Sequence, residues 1–207
     1  MVVLCTVLSS HGNVQSREDV LPVAAQVEVG RVVADASEAS LIEMFGRDRV
    51  SPDDVHLGEG LYCHGTRVTM DDANYMRITW AEDESKSSVD RIFLFGGKWK
   101  TVEGVGPESS LKELELANGR PFRVDFAPTD YQGTIYSWQG GKLEHYLPQD
   151  GSLRLIIRLG AGDGEVSKQL VGAGTSNHPI AQKINPRPYE FFIDNGQSKG
   201  CKAYGGI

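Results

Sequence analysis

The chain has 207 residues, a formal charge of −7 from 21 Lys and Arg against 28 Asp and Glu, and 40% apolar residues. That length makes one large domain or two small fused ones, and an acidic chain with no basic block is a poor match for a nucleic-acid backbone or an anionic membrane surface. Glycine takes 24 of the 207 positions, above the usual share of about 7%, which with this apolar content predicts many tight turns rather than disorder.

No stretch reaches the run of about 18 apolar residues that a membrane-spanning helix needs. Met1 to Leu8 are apolar or neutral and lead into Ser9, Ser10, His11 and Gly12, which looks like the end of a secretory signal without its charged start and points to a periplasmic or secreted protein, membrane-anchored if that segment were a lost or truncated signal. Leu4 before Cys5 does not fit a lipoprotein site. Cys5, Cys63 and Cys201 are odd in number and without C-x-x-C spacing, so neither a disulfide framework nor a cysteine zinc site organises the fold. A lone Cys63–Cys201 bridge is left open.

Residues 1–35 read as an N-terminal segment and linker, with an edge strand around Val27 to Val33. Ser37 then offers a cap, Glu38 suits the first turn, Leu41, Ile42, Met44 and Phe45 form an apolar face and Gly46 stops the chain, predicting a short helix. Met76, Ile78 and Trp80 alternate with Arg77 and Thr79, and Val89 to Phe95 is a strongly apolar strand ended by Gly96-Gly97. The second half repeats the plan. Ser110, Leu111, Leu114, Leu116 and Asn118-Gly119 predict a second helix, and Ser37…Leu41…Gly46 and Ser110…Leu114…Gly119 share internal spacings of four and five residues at an offset of 73. Strand patterns follow at Phe122 to Phe126, Thr134 to Trp138, Leu143 to Leu147 after the Gly140-Gly141 turn, and Leu153 to Leu159, where Arg154 and Arg158 alternate with the leucines and Ile157. A helix is predicted over Glu165 to Leu170, and Asn185-Pro186-Arg187-Pro188 forces an extended approach to a last strand, Tyr189 to Ile193. The expectation is an α+β fold of two tandem modules, residues 36–104 and 105–194, each a short helix packed on an antiparallel β meander, with a flexible tail over 195–207.

Several of these segments carry motifs. Phe45-Gly46, Leu57-Gly58-Glu59-Gly60, Ile78-Thr79-Trp80, Ser110-Leu111-Lys112-Glu113-Leu114, Asn118-Gly119-Arg120-Pro121-Phe122, Asp130-Tyr131-Gln132-Gly133-Thr134 and Ser137-Trp138-Gln139-Gly140-Gly141-Lys142-Leu143 together resemble a family of uncharacterised bacterial exported proteins and lipoproteins. Asn185-Pro186 resembles the family's closing feature. The family pattern places Gly-Phe-Gly-Trp before its Asp-Tyr, where this chain has Phe126-Ala127-Pro128-Thr129, so no binding role of that loop follows from the resemblance. The layout is also similar to that of beta-lactamase inhibitory protein, which implies architecture rather than activity.

Chemical signatures are sparse. His56, Cys63 and His64 with Asp53 or Asp54 suggest a metal site, but polar residues around a turn explain them better. Cys63 and His64 are neighbours on a strand and point to opposite faces, the wrong geometry for a thiol and its base. No phosphate loop or D-x-D-x-D-G calcium loop is present, and no cofactor or metal is expected. The aromatic residues stand out. With Ile135 inward, the period of two puts Tyr136 and Trp138 on the outer face, and with Asp130, Tyr131 and Lys142 they make a candidate binding surface of rigid aromatics; with the aromatics inward instead, they are ordinary core filling. The sequence is therefore read as a non-catalytic exported protein that binds another envelope or extracellular protein, inhibitor-like, and not nucleic acid. The alternative is a hydrolase of a polar, glycan-like substrate with a carboxylate pair that sequence does not identify.

Overall fold

The structure, a computed structural model, describes residues 36–82, 84–127, 132–147, 153–160, 168–196 and 198–205. The predicted signal remnant and the strand around Val27 to Val33 lie outside the described residues, as does the first half of the helix predicted over Glu165 to Leu170, of which residues 168–170 are helical.

Both predicted helices form, for the reason their sequences suggest. Helix α1 (Glu38–Phe45) and helix α2 (Leu111–Asn118) each open on a reciprocal capping box. Ser37 Oγ accepts from Ser40 N at 3.2 Å while Ser40 Oγ accepts from Ser37 N at 3.0 Å. Glu113 returns a carboxylate oxygen to Ser110 N at 2.7 Å, satisfying backbone donors that have no intrahelical partner. That bond lies first among the causes that hold the Glu113 carboxyl below its ordinary range. Gly119 closes α2 in the left-handed region, where a residue without Cβ is unstrained.

The strands are β1 (Val50–Gly58), β2 (Leu61–Thr69), β3 (Tyr75–Glu82), β4 (Ser87–Phe95), β5 (Arg123–Asp125), β6 (Thr134–Ser137), β7 (Leu153–Gly160), β8 (Arg187–Asn195) and β9 (Tyr204–Gly205), with a helix α3 (Pro179–Ile184) before β8. They make one antiparallel sheet in the order β1-β2-β3-β4-β8-β7-β6-β5, and β9 pairs β2 at Leu61 and Tyr62. The fold is α+β. Residues 50–95 supply one run of neighbours and residues 123–195 the other, and the two runs meet where β4 lies against β8, with Ile92 opposite Ile193.

Helices cover one face. Leu41 of α1, Leu111 and Leu114 of α2 and Ala181 of α3 are buried in one continuous cluster with Met76, Ile78, Trp80, Ile92, Ile135, Leu155, Ile157 and Ile193. The alternation read from β3 is the one observed, with Met76, Ile78 and Trp80 inward. Phe122, Val124 and Phe126 are all buried. Trp80 ties α1 to the sheet by a chain of polar groups: its Nε1 donates to Thr66 Oγ1 at 3.0 Å, Thr66 donates to Glu38 Oε1 at 2.8 Å, and Lys86 Nζ reaches the same oxygen at 2.6 Å. Burial would raise the Glu38 carboxyl's pKa, but Lys86 and Thr66 outweigh it and leave it lowered.

Three segments differ from expectation. Leu143 to Leu147 is not a strand but a 3₁₀ turn at Glu144–Tyr146: Asn118 Oδ1 accepts from Leu143 N at 3.1 Å and anchors the start, and Glu144, Tyr146 and Leu147 N–H close local turns onto Gly141, Leu143 and Glu144 carbonyls. The hairpin β1–β2 carries little alternation because β1 is an edge strand, exposed at Ser51, Pro52, Asp54 and His56. Its two-residue loop, Glu59-Gly60, has both φ angles positive, 50° and 74°, as a tight hairpin with right-handed strand twist requires. The tail, expected to be flexible, is held at two points: Cys201 is disulfide-bonded to Cys63, 138 residues away, and Tyr204 pairs with Tyr62.

Candidate functional site on the helix-free sheet face

The alternation that sends apolar residues toward the helices sends a different set the other way. On the free face Arg91, Asp194 and Arg154 stand opposite one another across β4, β8 and β7, and beside them Phe93, Phe192 and Ile156 do the same. Phe93 and Phe192 stack with ring centroids 4.9 Å apart. The Arg91 and Arg158 guanidiniums lie 6.0 and 5.5 Å from the Phe192 ring, within cation–π reach. These residues form a second, smaller apolar cluster with Val55, against which Leu57 and Phe95 pack, and among the described residues no helix contributes to it.

Val55 reaches this cluster because the edge of the sheet curls over it. Gly65 on β2 makes the curl feasible: a Cβ there would sit 2.7 Å from Val55 Cγ2 and closer still to the Ile78 carbonyl oxygen, contacts no side chain tolerates. The result is a cavity of about 610 Å³ whose walls include Leu57, Phe192, Arg154, Arg158 and Tyr136, within the range of ligand-binding clefts. Its carboxylates are engaged. Asp194 receives Arg91 Nε at 3.3 Å and also Arg154, and Glu190 receives Arg158. Farther along the face Arg77 forks onto Asp53, Nη2 to Oδ1 at 2.8 Å and Nε to Oδ2 at 2.5 Å. Those bonds, ahead of burial, raise the Arg77 pKa.

The predicted binding residues separate. Tyr136 is 53% exposed and lines the cavity. Trp138 does not share its face: β6 ends at Ser137, so the period of two stops there, and Trp138 turns inward to 1% exposure against Phe122, ring centroids 5.0 Å apart. Lys142 is exposed on the turn beyond β6. Asp130 and Tyr131 lie outside the described residues. Trp80, Trp99 and Trp138 are all buried, so native emission is expected to resist iodide quenching. Trp138→Phe should remove no quenchable component, and a quenched fraction lost with Trp138 would contradict its placement.

Sequence reading missed the centre of this face, Arg91, Phe93, Arg154, Arg158, Phe192 and Asp194. The arginines alternating with leucines on β7 were the available signal. An Arg facing away from the core reads as a solvated surface unless the strands beside it are known.

The histidine cluster takes a structural role. The Cys63 sulfur is committed to the disulfide. His64 Nδ1 lies 2.9 Å from Asp54 Oδ1, and its ring stacks on Tyr204 at 4.4 Å. Among the described residues no group of three or more His, Cys, Asp or Glu is placed to hold a metal. A hydrogen bond from the Tyr204 hydroxyl, followed by His64, lowers the Asp54 pKa, and Asp54 pushes the Tyr204 phenol up to about 12. A raised folded-state pKa means that this contact supports the docked tail below the ordinary phenol range and is lost as pH rises from about 10 toward about 12. Ultraviolet difference titration of the parent against Tyr204→Phe is expected to show one late-ionising tyrosine. Ionisation of that tyrosine near 10 would remove the contact from the account.

In comparisons with known protein families, characterised proteins and solved structures, the chain matches none.

Proposed function

We propose that this is an exported, non-catalytic protein that binds another envelope or extracellular protein through the helix-free face of its sheet, in the manner of an inhibitor. The observation that carries the reading is that face itself: the exposed Tyr136 and the half-buried Leu57 and Ile156 over a floor of buried, stacked Phe93 and Phe192, surrounded by arginines. Aromatic and arginine anchors ringed by polar groups are the composition of protein interfaces. Export draws support from the Cys63–Cys201 bridge, since such bonds persist in oxidising compartments.

We also read the chain as two tandem helix-plus-meander modules. Each run of strands follows a capped helix, and β4 and β8, the last strand of each run, lie antiparallel at the centre, as two copies related by a twofold axis would. The resemblance to bacterial exported proteins and to the layout of beta-lactamase inhibitory protein agrees with this arrangement.

The hydrolase reading is weaker. A general acid needs a carboxyl kept neutral in apolar surroundings, whereas Asp194 and Glu190 on this face spend their oxygens on guanidiniums. Immobilised protein exposed to envelope extract from its own source is expected to retain a specific partner that Tyr136→Glu loses. Leu116→Glu, at an exposed position of α2 away from the face, should retain it. Equal capture by both variants would overturn the reading.

A further inference from the structure

At the middle of the free face two guanidiniums converge on one carboxylate. Arg91 on β4 and Arg154 on β7 flank Asp194 on β8 in direct register, Arg91 Nε donating to Oδ1 and Arg154 Nη2 to Oδ2. A guanidinium is a fork of several N–H donors with no acceptor, and a single carboxylate cannot fill two forks. Among the described residues the terminal nitrogens of Arg91 make no hydrogen bond, and Arg154 Nε is buried without a partner. The side chains are nonetheless reachable, Arg91 being 36% and Arg154 42% exposed while Asp194 is 13%.

The other acids of the cavity do not make up the difference. Glu190 is paired with Arg158, and Asp125 turns an oxygen back to Ala127 N at 2.8 Å. The cavity lining as a whole balances three arginines against Asp125, Glu190 and Asp194, but directly at Asp194 two guanidiniums share one carboxylate. Beside it Phe192 and Phe93, 4% and 7% exposed, stack as the apolar floor of the cavity.

We infer that Arg91 and Arg154 form a receiving site for a carboxylate, supplied by an Asp or Glu side chain on an exposed loop of the bound protein, with an apolar or aromatic neighbour packing on Phe192. A planar carboxylate matches the exposed terminal nitrogens of the two forks that Asp194 leaves unfilled. Asp194 holds both guanidiniums in place beforehand, so little side-chain freedom is lost on docking. This inference deepens the protein-binding reading and rests on it for the source of the carboxylate.

Phenylacetate, an aromatic carboxylate, is the probe, with phenylacetamide and inorganic phosphate beside it, followed by NMR of the arginine Nε–H and aromatic signals. The expected result is saturable shifts at Arg91, Arg154 and Phe192 that weaken with added salt. Binding should be at least about tenfold weaker in Arg154→Gln and in Arg91→Lys, which keeps the charge and loses the fork. Near-UV circular dichroism of each variant matching the parent shows that the loss is not unfolding. Shifts as strong with phenylacetamide would overturn the site, and phosphate binding as tightly as phenylacetate would overturn the assignment to a protein carboxylate. The outcomes also separate the two proposals. Capture lost in Tyr136→Glu but kept in Arg154→Gln overturns this inference alone; phenylacetate bound as expected while Tyr136→Glu leaves capture intact overturns the protein-binding reading and keeps the carboxylate site.

Discussion

Trp80→Ala is expected to lower the unfolding free energy by about 3–5 kcal/mol, the cost of emptying a large aromatic site in a packed core. Against a typical total of about 5–15 kcal/mol that is about a third or more of the stability of a domain at the middle of the range, and unfolds one at its lower end. Trp80 is 0% exposed, and its ring lies in the cluster that joins α1 to β2, β3 and β4. The indole also begins the chain through Thr66 to Glu38 and Lys86, so removing it leaves Thr66 short of a donor and loosens α1. Trp80→Phe keeps most of the packing but loses the N–H and the smaller ring of the indole, and should cost about 1–3 kcal/mol. Denaturant melts of both variants decide it, and a loss below about 2 kcal/mol for Trp80→Ala would mean that the site collapses without a cavity. The chain also has an acid limit. The folded-state pKa of Glu38 is lowered from 4.5, so its contribution is present above that value and fades as pH falls through the lower folded one.

Cys201→Ser is expected to have the next largest effect. The bridge closes a loop of 138 residues in the unfolded chain, and removing a native disulfide commonly costs about 2–5 kcal/mol, toward the upper end for long loops. For a chain of this size that corresponds to a fall in Tm of roughly 4–20 °C. The parent should melt at two temperatures with and without reductant, and Cys201→Ser at one. Limited proteolysis should cut the tail before β9 in the variant, since Cys201 holds that segment against β2. A variant with the parent's Tm and an uncut tail would show that the β9 pairing and the Tyr204 contacts suffice.

Local patterns were legible where one residue's neighbours along the chain decide the outcome. Ser37 and Ser110 with their glycine stops mark two helices because a cap is satisfied within four residues. Met76, Ile78 and Trp80 mark a strand face because alternation is a property of the strand itself. The errors have the opposite character. Trp138 continues the alternation of Tyr136 on paper, but a strand's period holds only to its last paired residue, and Ser137 is that residue. Leu143 to Leu147 has strand composition, yet Asn118, distant in sequence, anchors its start and the N–H groups that follow close local turns. Tyr136 was found by composition; Arg91, Arg154 and Phe192 were not, because each alone is an unremarkable strand residue.

Glycine content, capped helices and alternating strands were enough to point to an α+β chain, because those features depend on short-range sterics and hydrogen bonding. Tertiary pairing alone decided that β4 meets β8 and so makes one sheet of two runs, that Cys63 meets Cys201, and that two arginines 63 residues apart share Asp194. Those juxtapositions depend on which strand edges and faces are left after the core is buried, a quantity no single segment contains.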